Sequence, residues 1–416
     1  MGLFSGFKNT VFLWLFIILS CGNRGKAVAD SEVSDPGNPL PPAVVVAANK
    51  TGSYIPLLKD KNTAVVANQT SVIFKDSAGK DSLLSHTHLV DSLLSLGVPV
   101  KKVFAPEHGF RGDADAGEKV KDGVDKTTGL PIISLYGKNR KPTPEQLQGI
   151  DIVLFDIQDV GVRFYTYIAT LQLVMEAAAE AGIPVLVLDR PNPNAHYIDG
   201  PTMEKEHTGF LGMTTIPLVY GMTIGEYATM INEEGWLEDG QKADLTVIPL
   251  DNYTHQTTYH IPIRPSPNLP NDQSIALYPS LGLFEGTDIN AGRGTEFQFQ
   301  RYGAPFLDST KYDFKYTPKP NFGSKYPKHS GKTCYGKDLS SEPRPDRVNL
   351  QWLIDAYANA TDKSKVFLTD GFTRHAGTAL LQEQITSGAT EAEIRESWKQ
   401  DLEKFKQTRE KYLLYD

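Results

Sequence analysis

The segment that decides the fold is DIVLFDIQDVGVRFYTYIATLQLVMEAAAEAGIPVLVLDRPNP, residues 151–193. Its first part, 151–161, is an apolar run that ends in polar residues, which is typical of a buried strand and its following turn. Residues 165–182 have helical periodicity and end at Gly182, and 184–193 again indicate a strand and a turn. This order predicts two parallel strands joined by a crossover helix.

The same alternation extends toward the N-terminus and changes character further along the chain. Apolar runs at 63–68 and 131–137 indicate strands, with a helical pattern at 88–97. We therefore predict an α/β protein, with a Rossmann-like, doubly wound parallel sheet over 44–205. Residues 206–416 predict a smaller α+β domain. Within it, a helical pattern over 223–237 begins with a capping box of Thr223 and Glu226, and 243–250 indicates a strand. A long irregular stretch, 251–347, precedes two closing helical segments, at 349–360 and from about 390 to 412.

Polar residues follow the predicted strands at four places. In doubly wound sheets, ligands bind beyond the carboxyl ends of the strands. We therefore expect these residues to line the base of one common site: Glu107-His108, Tyr136-Gly137, Gln158-Asp159 and Asp189-Arg190.

The N-terminus has the pattern of an export signal. Lys8 precedes an apolar run over 11–20, which is shorter than the roughly 20 residues of a membrane span. The ending Ile-Leu-Ser-Cys resembles a bacterial lipobox and predicts a lipoprotein signal over 1–21, a lipidated Cys21 and a flexible tether over 22–43. A plain signal peptide or an uncleaved anchor is the alternative. We expect export across the inner membrane and anchoring in the cell envelope or periplasm, and we predict no protein partner.

Composition excludes several function classes. The 416 residues have a formal net charge of -8 and no long Lys/Arg run, so we expect no nucleic-acid partner. The glycines have neither dinucleotide-binding nor phosphate-loop spacing, so we expect no cofactor. His86 and His88 lack an evident third ligand, and DADAG at 113–117 lacks the full calcium-loop pattern, so we predict no metal site.

The turn PEHG, 106–109, contains the first candidate catalytic group. Glu107 suits a general acid if burial raises its pKa toward working pH, and His108 suits orienting it or contacting the substrate. The alternative is an ordinary turn.

Two further clusters have residue types suited to a sugar with an anionic group. After one strand end come Asp159, Arg163, Tyr165 and Tyr167, where Arg suits a carboxylate and Tyr offers a flat wall for a sugar ring. Asn192, in DRPNPN, suits hydroxyl or amide groups. Packed aromatics and structural turns are the alternatives.

The second domain contains the remaining candidates. Asn268 lies in RPSPNLPN, and Arg293 lies between two glycines in NAGRGTEFQFQ. Glycine lets backbone approach a ligand closely, which favours Arg293 as an anion-binding residue. Glu296 or Glu285 then offers a second carboxylate.

Six motifs, taken together and in this order, resemble the NamZ (YbbC-like) family of exo-β-N-acetylmuramidases: FAPEHGFRG, DIVLFDIQDVGVRFYTYI, VLDRPNP, PSPNLP, LYPSLGLFEGT and NAGRGTEFQFQ. The resemblance covers nearly all of the chain after about residue 45. It implies release of terminal, non-reducing, β-linked N-acetylmuramic acid from peptidoglycan fragments. It also implies an active site in the cleft between the two domains, with Glu107 as the PEHG glutamate.

The implied sugar has a lactyl carboxylate, a 2-acetamido group and hydroxyls, each of which needs a binding group. The candidates, by chemistry, are Arg163 or Arg293 for the carboxylate, Asn192 or Asn268 for the acetamido group, and Tyr165 or Tyr167 for the ring.

The second catalytic group stays open from sequence alone. Glycoside hydrolysis usually needs two carboxyl groups, and beside Glu107 the second participant is Glu296, Asp159 or the acetamido group of the substrate. Two other functions remain: a non-catalytic lipoprotein that binds cell-wall glycan fragments, and a different sugar hydrolase on the same scaffold.

Overall fold

The computed structural model of the chain describes residues 42–75, 85–112 and 122–416. The predicted signal, Cys21, nearly all of the predicted tether and the DADAG segment lie outside these residues. The strands are β1 (Thr63–Ala67), β2 (Val72–Phe74), β3 (His86–His88), β4 (Val100–Ala105), β5 (Gly123–Val124), β6 (Pro131–Ser134), β7 (Ile152–Asp156), β8 (Val185–Leu188), β9 (Asp199–Thr202), β10 (Pro217–Val219), β11 (Leu245–Ile248), β12 (Arg301–Ala304), β13 (Phe314–Tyr316) and β14 (Cys334–Asp338). The helices are α1 (Thr51–Leu58), α2 (Leu89–Ser95), α3 (Pro144–Leu147), α4 (Tyr167–Ala181), α5 (Ile224–Glu233), α6 (Asp272–Leu281), α7 (Gln351–Ala358), α8 (Thr369–Ala376), α9 (Leu380–Ser387) and α10 (Glu391–Arg409).

A seven-stranded sheet forms the centre of the described chain, in the order β11-β8-β7-β1-β4-β6-β5. Neighbouring strands are parallel, except that β5 runs antiparallel to β6. The chain builds one side of the sheet from β1 through β4 to β6, and then continues on the other side with β7. This reversal confirms the predicted doubly wound α/β fold.

Strand β7 shows why the central strands are continuous apolar runs. All five of its residues are buried, and four of them are apolar; the fifth, Asp156, ends the strand and forms a buried ion pair with Arg190. Val153 and Phe155 belong to the core on one face of the sheet, and Ile152 and Leu154 belong to the core on the other. Because successive side chains of a strand point to opposite faces, a sheet covered on both faces needs apolar residues at every position.

Two predicted helix boundaries are confirmed. Helix α4 joins β7 to β8 and ends at Gly182, whose φ of 63° is left-handed and whose N–H closes the helix. Helix α5 begins at the capping box of Thr223 and Glu226, in which each side chain accepts a hydrogen bond from the other residue's backbone N–H.

The second half of the chain is more regular than the sequence predicted. The stretch 251–347, expected to be irregular, contains α6 and an antiparallel sheet in the order β12-β14-β13. Helices α8 and α9 add to the two predicted closing helices. Pro279 inside α6 breaks the helical sequence pattern, and the three strands have only three to five residues each, so their periodicity is weak.

The predicted domain boundary at 205/206 stays a prediction. Strand β11 lies beyond it and pairs in parallel with β8, so the central sheet includes residues from both sides of that position. Residues Ala43–Asp416 form one compact unit. Within the described ranges, no helix is long and apolar enough to cross a membrane.

Candidate active site

Glu107 emerges at the carboxyl edge of the central sheet. Ala105, the last residue of β4, pairs with Ser134, the last residue of β6. Glu107 and Tyr136 each follow two residues later, so strand register brings them out side by side. His108, next to Glu107, has a φ of 70°, an uncommon conformation for a residue other than glycine.

Two hydroxyl groups contact the Glu107 carboxylate. Thr166, which precedes α4, donates a hydrogen bond from Oγ1 to Oε2 at 2.8 Å. The Tyr136 hydroxyl also hydrogen-bonds to Glu107, and burial together with this carboxylate raises the pKa of Tyr136. The turns after β4 and β6 and the start of α4 thus each place one member of this group.

Glu107 lines a small pocket of about 120 Å³, which we call the inner pocket. Its walls are aromatic, with Tyr165 and Tyr167 in edge contact at 4.7 Å between ring centroids and Tyr278 packed beside them. Polar residues line the same pocket. Those with groups that can bind a ligand or transfer a proton are His108, Asn268, Glu285, Arg293 and His375.

Glu107 also lines a larger cavity of about 730 Å³, which we call the outer cleft. Glu107, Thr166 and Leu211 belong to both cavities, so the carboxyl group lies at their junction. The charged and aromatic residues that line only the outer cleft include Tyr136, Arg140, His207, Phe210, Asp370 and Arg374. A carboxyl group between a small pocket and an open cleft can act on a bond that joins a terminal group to a longer remainder.

Family comparisons match the chain on both sides of this site. The N-terminal model of the exo-β-N-acetylmuramidase NamZ matches residues 63–273, and the C-terminal model matches residues 276–415. The chain belongs to the NamZ family of exo-β-N-acetylmuramidases. The peptidoglycan β-N-acetylmuramidase NamZ of Bacillus subtilis strain 168 is 35% identical over 426 aligned residues, which cover 98% of this chain and all of that protein.

Solved structures support the same fold. A DUF1343 family protein from Bacteroides fragilis NCTC 9343 has a TM-score of 0.80 and 42% identity, over 90% of this chain and 99% of that one. A second DUF1343 family protein from the same strain has a TM-score of 0.73 and 26% identity, over 91% and 100%.

Several residues predicted for a NamZ site do line the inner pocket. His108, Tyr165 and Tyr167 are buried there, beside Glu107. The hydroxyls of both tyrosines donate to the carbonyl of Pro265, at 2.8 and 3.1 Å, which fixes their rings against the 264–271 turn. The aromatic wall is therefore rigid before a ligand arrives.

The two predicted asparagines differ sharply. Asn268 is 2% exposed and lines the inner pocket, and neither its Oδ1 nor its Nδ2 has a hydrogen-bond partner among the described residues. Asn192 donates to the Met222 carbonyl at 2.8 Å and accepts from the Asn194 N–H at 2.8 Å. Asn268 is thus available to a ligand amide, whereas the structure gives Asn192 a role in fixing a turn.

Arg163 is part of a structural hydrogen-bond network, and its predicted contact with a substrate carboxylate stays a prediction. It is 1% exposed, and burial lowers its pKa to about 9. Its terminal nitrogens donate at 2.7–3.0 Å to four carbonyls, those of Pro201, Ile216, His375 and Ala376. The last two lie at the carboxyl end of α8, where the helix dipole favours a cation.

Arg293 reaches the inner pocket but is already paired. Its Nη2 lies 3.1 Å from Oε2 of Glu285, which lines the same pocket. Burial alone favours the neutral form of Glu285, but Arg293, Lys328 and His375 outweigh it and lower the pKa of Glu285. The inner pocket therefore holds the carboxyl group of Glu285, with a lowered pKa, in addition to the side chain of Glu107.

The other two predicted carboxylates lie elsewhere. Asp159 is buried, accepts hydrogen bonds from Tyr220 and from the Gly161 N–H, and is not among the described residues that line either cavity. Burial raises the pKa of Asp159 to about 6. Glu296 is exposed and also lies outside the lining of both cavities in the described chain. Their catalytic roles stay untested predictions.

Sequence reasoning assigned no role to several lining residues. Tyr136 was expected at the site because it follows a strand end, but its contact with Glu107 was not predicted. Thr166 lies between two more conspicuous tyrosines, which hide its importance in the sequence. Arg140, Phe210 and Arg374 lie on a loop, a turn and a short helix with no motif of their own, so only the folded chain brings them together.

One cluster near the outer cleft consists of residue types that commonly bind metal ions. The ligand atoms of Glu204, Glu206 and His207 lie within 4.8 Å of one another. His207 already lies 3.4 Å from Glu204, and Thr378 donates to the same glutamate at 2.6 Å. Exposed acidic groups of this kind are common without an ion, so we assign no metal to them.

Proposed function

We propose that this chain hydrolyses the glycosidic bond of a terminal, non-reducing, β-linked N-acetylmuramic acid in peptidoglycan fragments, with Glu107 as the general acid. The position of Glu107 at the junction of the inner pocket and the outer cleft carries the proposal. The acid of a glycosidase must reach the oxygen between the sugar that is released and the remainder of the chain.

The inner pocket suits the terminal sugar. Its small size and aromatic walls favour one sugar ring held at the end of a chain, which is what exo action requires. Asn268 supplies a donor and an acceptor to the acetamido group, whose own carbonyl and N–H complement them.

The chemistry needs a second group on the other side of the sugar. We propose Glu285, because Arg293 and Lys328 keep it ionised in the inner pocket, where positive charge develops on the sugar ring. Glu107 protonates the glycosidic oxygen as the bond from C1 to that oxygen breaks and the remaining glycan leaves, while the Glu285 carboxylate stabilises the positive charge at C1. The oxygen of a water molecule then bonds to C1, and Glu107 accepts the proton that this water releases. The substrate acetamido group is the alternative second participant.

A leaving-group comparison tests the role of Glu107. The Glu107→Gln variant would be assayed on MurNAc-β-1,4-GlcNAc and on 4-nitrophenyl β-MurNAc. Nitrophenolate leaves with little need for protonation. We therefore expect kcat/KM to fall roughly 100-fold or more on the disaccharide and by a smaller factor on the aryl substrate. Glu342→Gln, at an exposed glutamate outside the lining of both cavities in the described chain, is the matched control.

Two results would contradict this assignment. A folded Glu107→Gln variant with wild-type rates would remove Glu107 from catalysis. An equal loss of kcat/KM on both substrates would indicate that Glu107 does not act as an acid when the bond breaks. The ability of the leaving group to depart without a proton would then make no difference to the variant.

We also propose that the chain is anchored in the cell envelope through lipid on Cys21. The support is the sequence pattern of the apolar run at 11–20 and the Cys that follows. Detergent phase partitioning of the full chain tests it: we expect the wild type in the detergent phase and Cys21→Ser in the aqueous phase. Equal partitioning of the two proteins would contradict the proposal.

A further inference from the structure

The carboxylate of muramic acid needs a cationic partner, and the two arginines predicted from sequence are occupied. Arg163 donates to four carbonyls and is buried away from solvent. Arg293 lies 3.1 Å from Glu285. A substrate carboxylate beside Arg293 would also meet the charge of Glu285, so this pair is poorly suited to recognise it.

Two other arginines, Arg140 and Arg374, line the outer cleft that Glu107 shares. Both are exposed, and within the described residues neither guanidinium makes a hydrogen bond or an ion pair. Asp370 lies one turn before Arg374 on α8 and lines the same cleft, but the two form no ion pair within 4 Å in that part of the chain. Their donors are therefore available to a ligand.

Arg140 is also held in place. Its guanidinium carbon lies 4.3 Å from the ring centroid of Phe210, which packs near Tyr136 at 6.3 Å. Stacking on an aromatic face restricts the guanidinium while its N–H groups stay free to donate in the plane. Tyr136 in turn hydrogen-bonds to Glu107, so this arginine is joined to the catalytic group through two aromatic contacts.

We infer that Arg140 and Arg374 bind the lactyl carboxylate of a muramyl residue in the outer cleft, an inference that rests on the proposed function. The carboxylate has two possible sources in a glycan: the terminal sugar that is released, or the next muramyl residue along the chain. Either source distinguishes muramyl glycans from chains of N-acetylglucosamine alone, so these arginines set substrate specificity without taking part in bond cleavage.

The test compares substrates that differ in their carboxylates. KM and kcat would be measured for Arg140→Ala and Arg374→Ala on 4-nitrophenyl β-MurNAc, on the matching β-GlcNAc, on MurNAc-GlcNAc and on MurNAc-GlcNAc-MurNAc-GlcNAc. We expect KM for a muramyl substrate to rise about tenfold or more, because a charge-assisted hydrogen bond is lost. Arg140→Lys and Arg374→Lys should recover part of the loss.

The pattern of loss identifies the source. A higher KM on the aryl muramide indicates the terminal carboxylate. A higher KM only on the tetrasaccharide indicates the second muramyl residue. Either effect should shrink at high salt. Arg347→Ala, at an exposed arginine 3.8 Å from Asp346, is the control and should behave as wild type.

Unchanged KM on every muramyl substrate, in folded variants, would overturn the inference and leave the proposed function intact. Failure of the proposed function looks different, because the wild type itself would then release no muramic acid, or Glu107→Gln would match it.

Discussion

At the scale of single residues, the Glu107 carboxylate is the point at which contacts from the turn after β6 and the start of α4 converge. Thr166 and Tyr136 both present hydroxyls to it. These contacts hold the side chain at the junction of the two cavities.

Tyr136→Phe tests this positioning. Removing the hydroxyl takes away one of the two contacts that hold the Glu107 side chain at the junction of the cavities. We expect kcat/KM on MurNAc-GlcNAc to fall about tenfold, because the carboxyl group is then held less precisely against the bond that is cleaved. Tyr326→Phe, at a side chain that is 94% exposed, is the control. An unchanged kcat/KM with a folded protein would contradict the expectation.

Asn268→Ala should separate binding from stability. Both amide atoms of Asn268 lack partners among the described residues, so its removal breaks no internal hydrogen bond. We expect an unfolding free energy equal to or above that of wild type, and a KM for the aryl muramide raised about tenfold. Urea unfolding and steady-state kinetics on the same preparation measure the two effects.

Asn192→Ala is the matched comparison for that variant. It removes two 2.8 Å hydrogen bonds, one within the turn to Asn194 and one to the distant carbonyl of Met222, so it should lower the unfolding free energy by roughly 1–3 kcal/mol and leave KM unchanged. The opposite pattern in the pair would reverse the roles given to the two asparagines.

At the scale of elements, Arg163 joins parts of the chain that are far apart in sequence. Its guanidinium contacts the carbonyls of Pro201 and Ile216, in and beside the β9–β10 hairpin, and the carboxyl end of α8. Gly377 follows α8 with a φ of 85°, and a Cβ there would lie 2.6 Å from Nη2 of Arg163. A side chain at residue 377 would therefore collide with the Arg163 guanidinium, so the end of α8 needs glycine at this position.

Arg163→Met should destabilise the fold. The variant fills much of the same space but leaves buried carbonyls without donors, and we expect a loss of about 3–5 kcal/mol in unfolding free energy. The KM of the remaining folded protein for the aryl muramide should stay near wild type. Full stability with a raised KM would restore the role in carboxylate binding that sequence predicted.

The central elements were predictable because their patterns are local. A strand buried on both faces must be an apolar run, and helix α4 ends where a left-handed residue is needed. Helix α6 was not predictable in the same way, because Pro279 interrupts its pattern and the surrounding chain supplies its stability.

The candidate site was predictable only as far as strand ends reveal it. Glu107 and Tyr136 follow strands, and parallel pairing brings such residues together. Asn192 and Asn268 both lie in proline-rich turns and look alike in sequence, yet only one faces the inner pocket. Their difference depends on which distant carbonyls and N–H groups reach them, which no local pattern contains.

At the scale of the whole molecule, buried acids make stability depend on pH. Burial raises the pKa of Asp159 from 3.8 to about 6, and that of Asp189 from 3.8 to about 7. Since both values lie above those of the unfolded chain, the folded state binds protons more tightly. The resulting stabilisation is complete below about pH 3.8 and is lost as pH rises through 6 and 7.

Asp159→Asn should weaken this pH dependence. A rise from 3.8 to about 6 corresponds to roughly 3 kcal/mol, which the wild type loses between acidic and neutral pH and the variant does not. Urea unfolding at pH 4 and pH 7 measures the difference. If the unfolding free energy changed equally for the two proteins between pH 4 and pH 7, Asp159 would not have the raised pKa that this prediction requires.

The two cavities that meet at Glu107 draw on different stretches of chain in part. The groups that line only the inner pocket come mainly from 164–167 and 266–299, with His375 from α8, whereas the outer cleft uses 136–140, 206–210 and 370–379. The 206–210 segment lines the outer cleft and not the inner pocket, so it can change during evolution without altering the walls around the terminal position. Grafting this segment between relatives is a practical way to change chain-length preference while the residues around Glu107 stay the same.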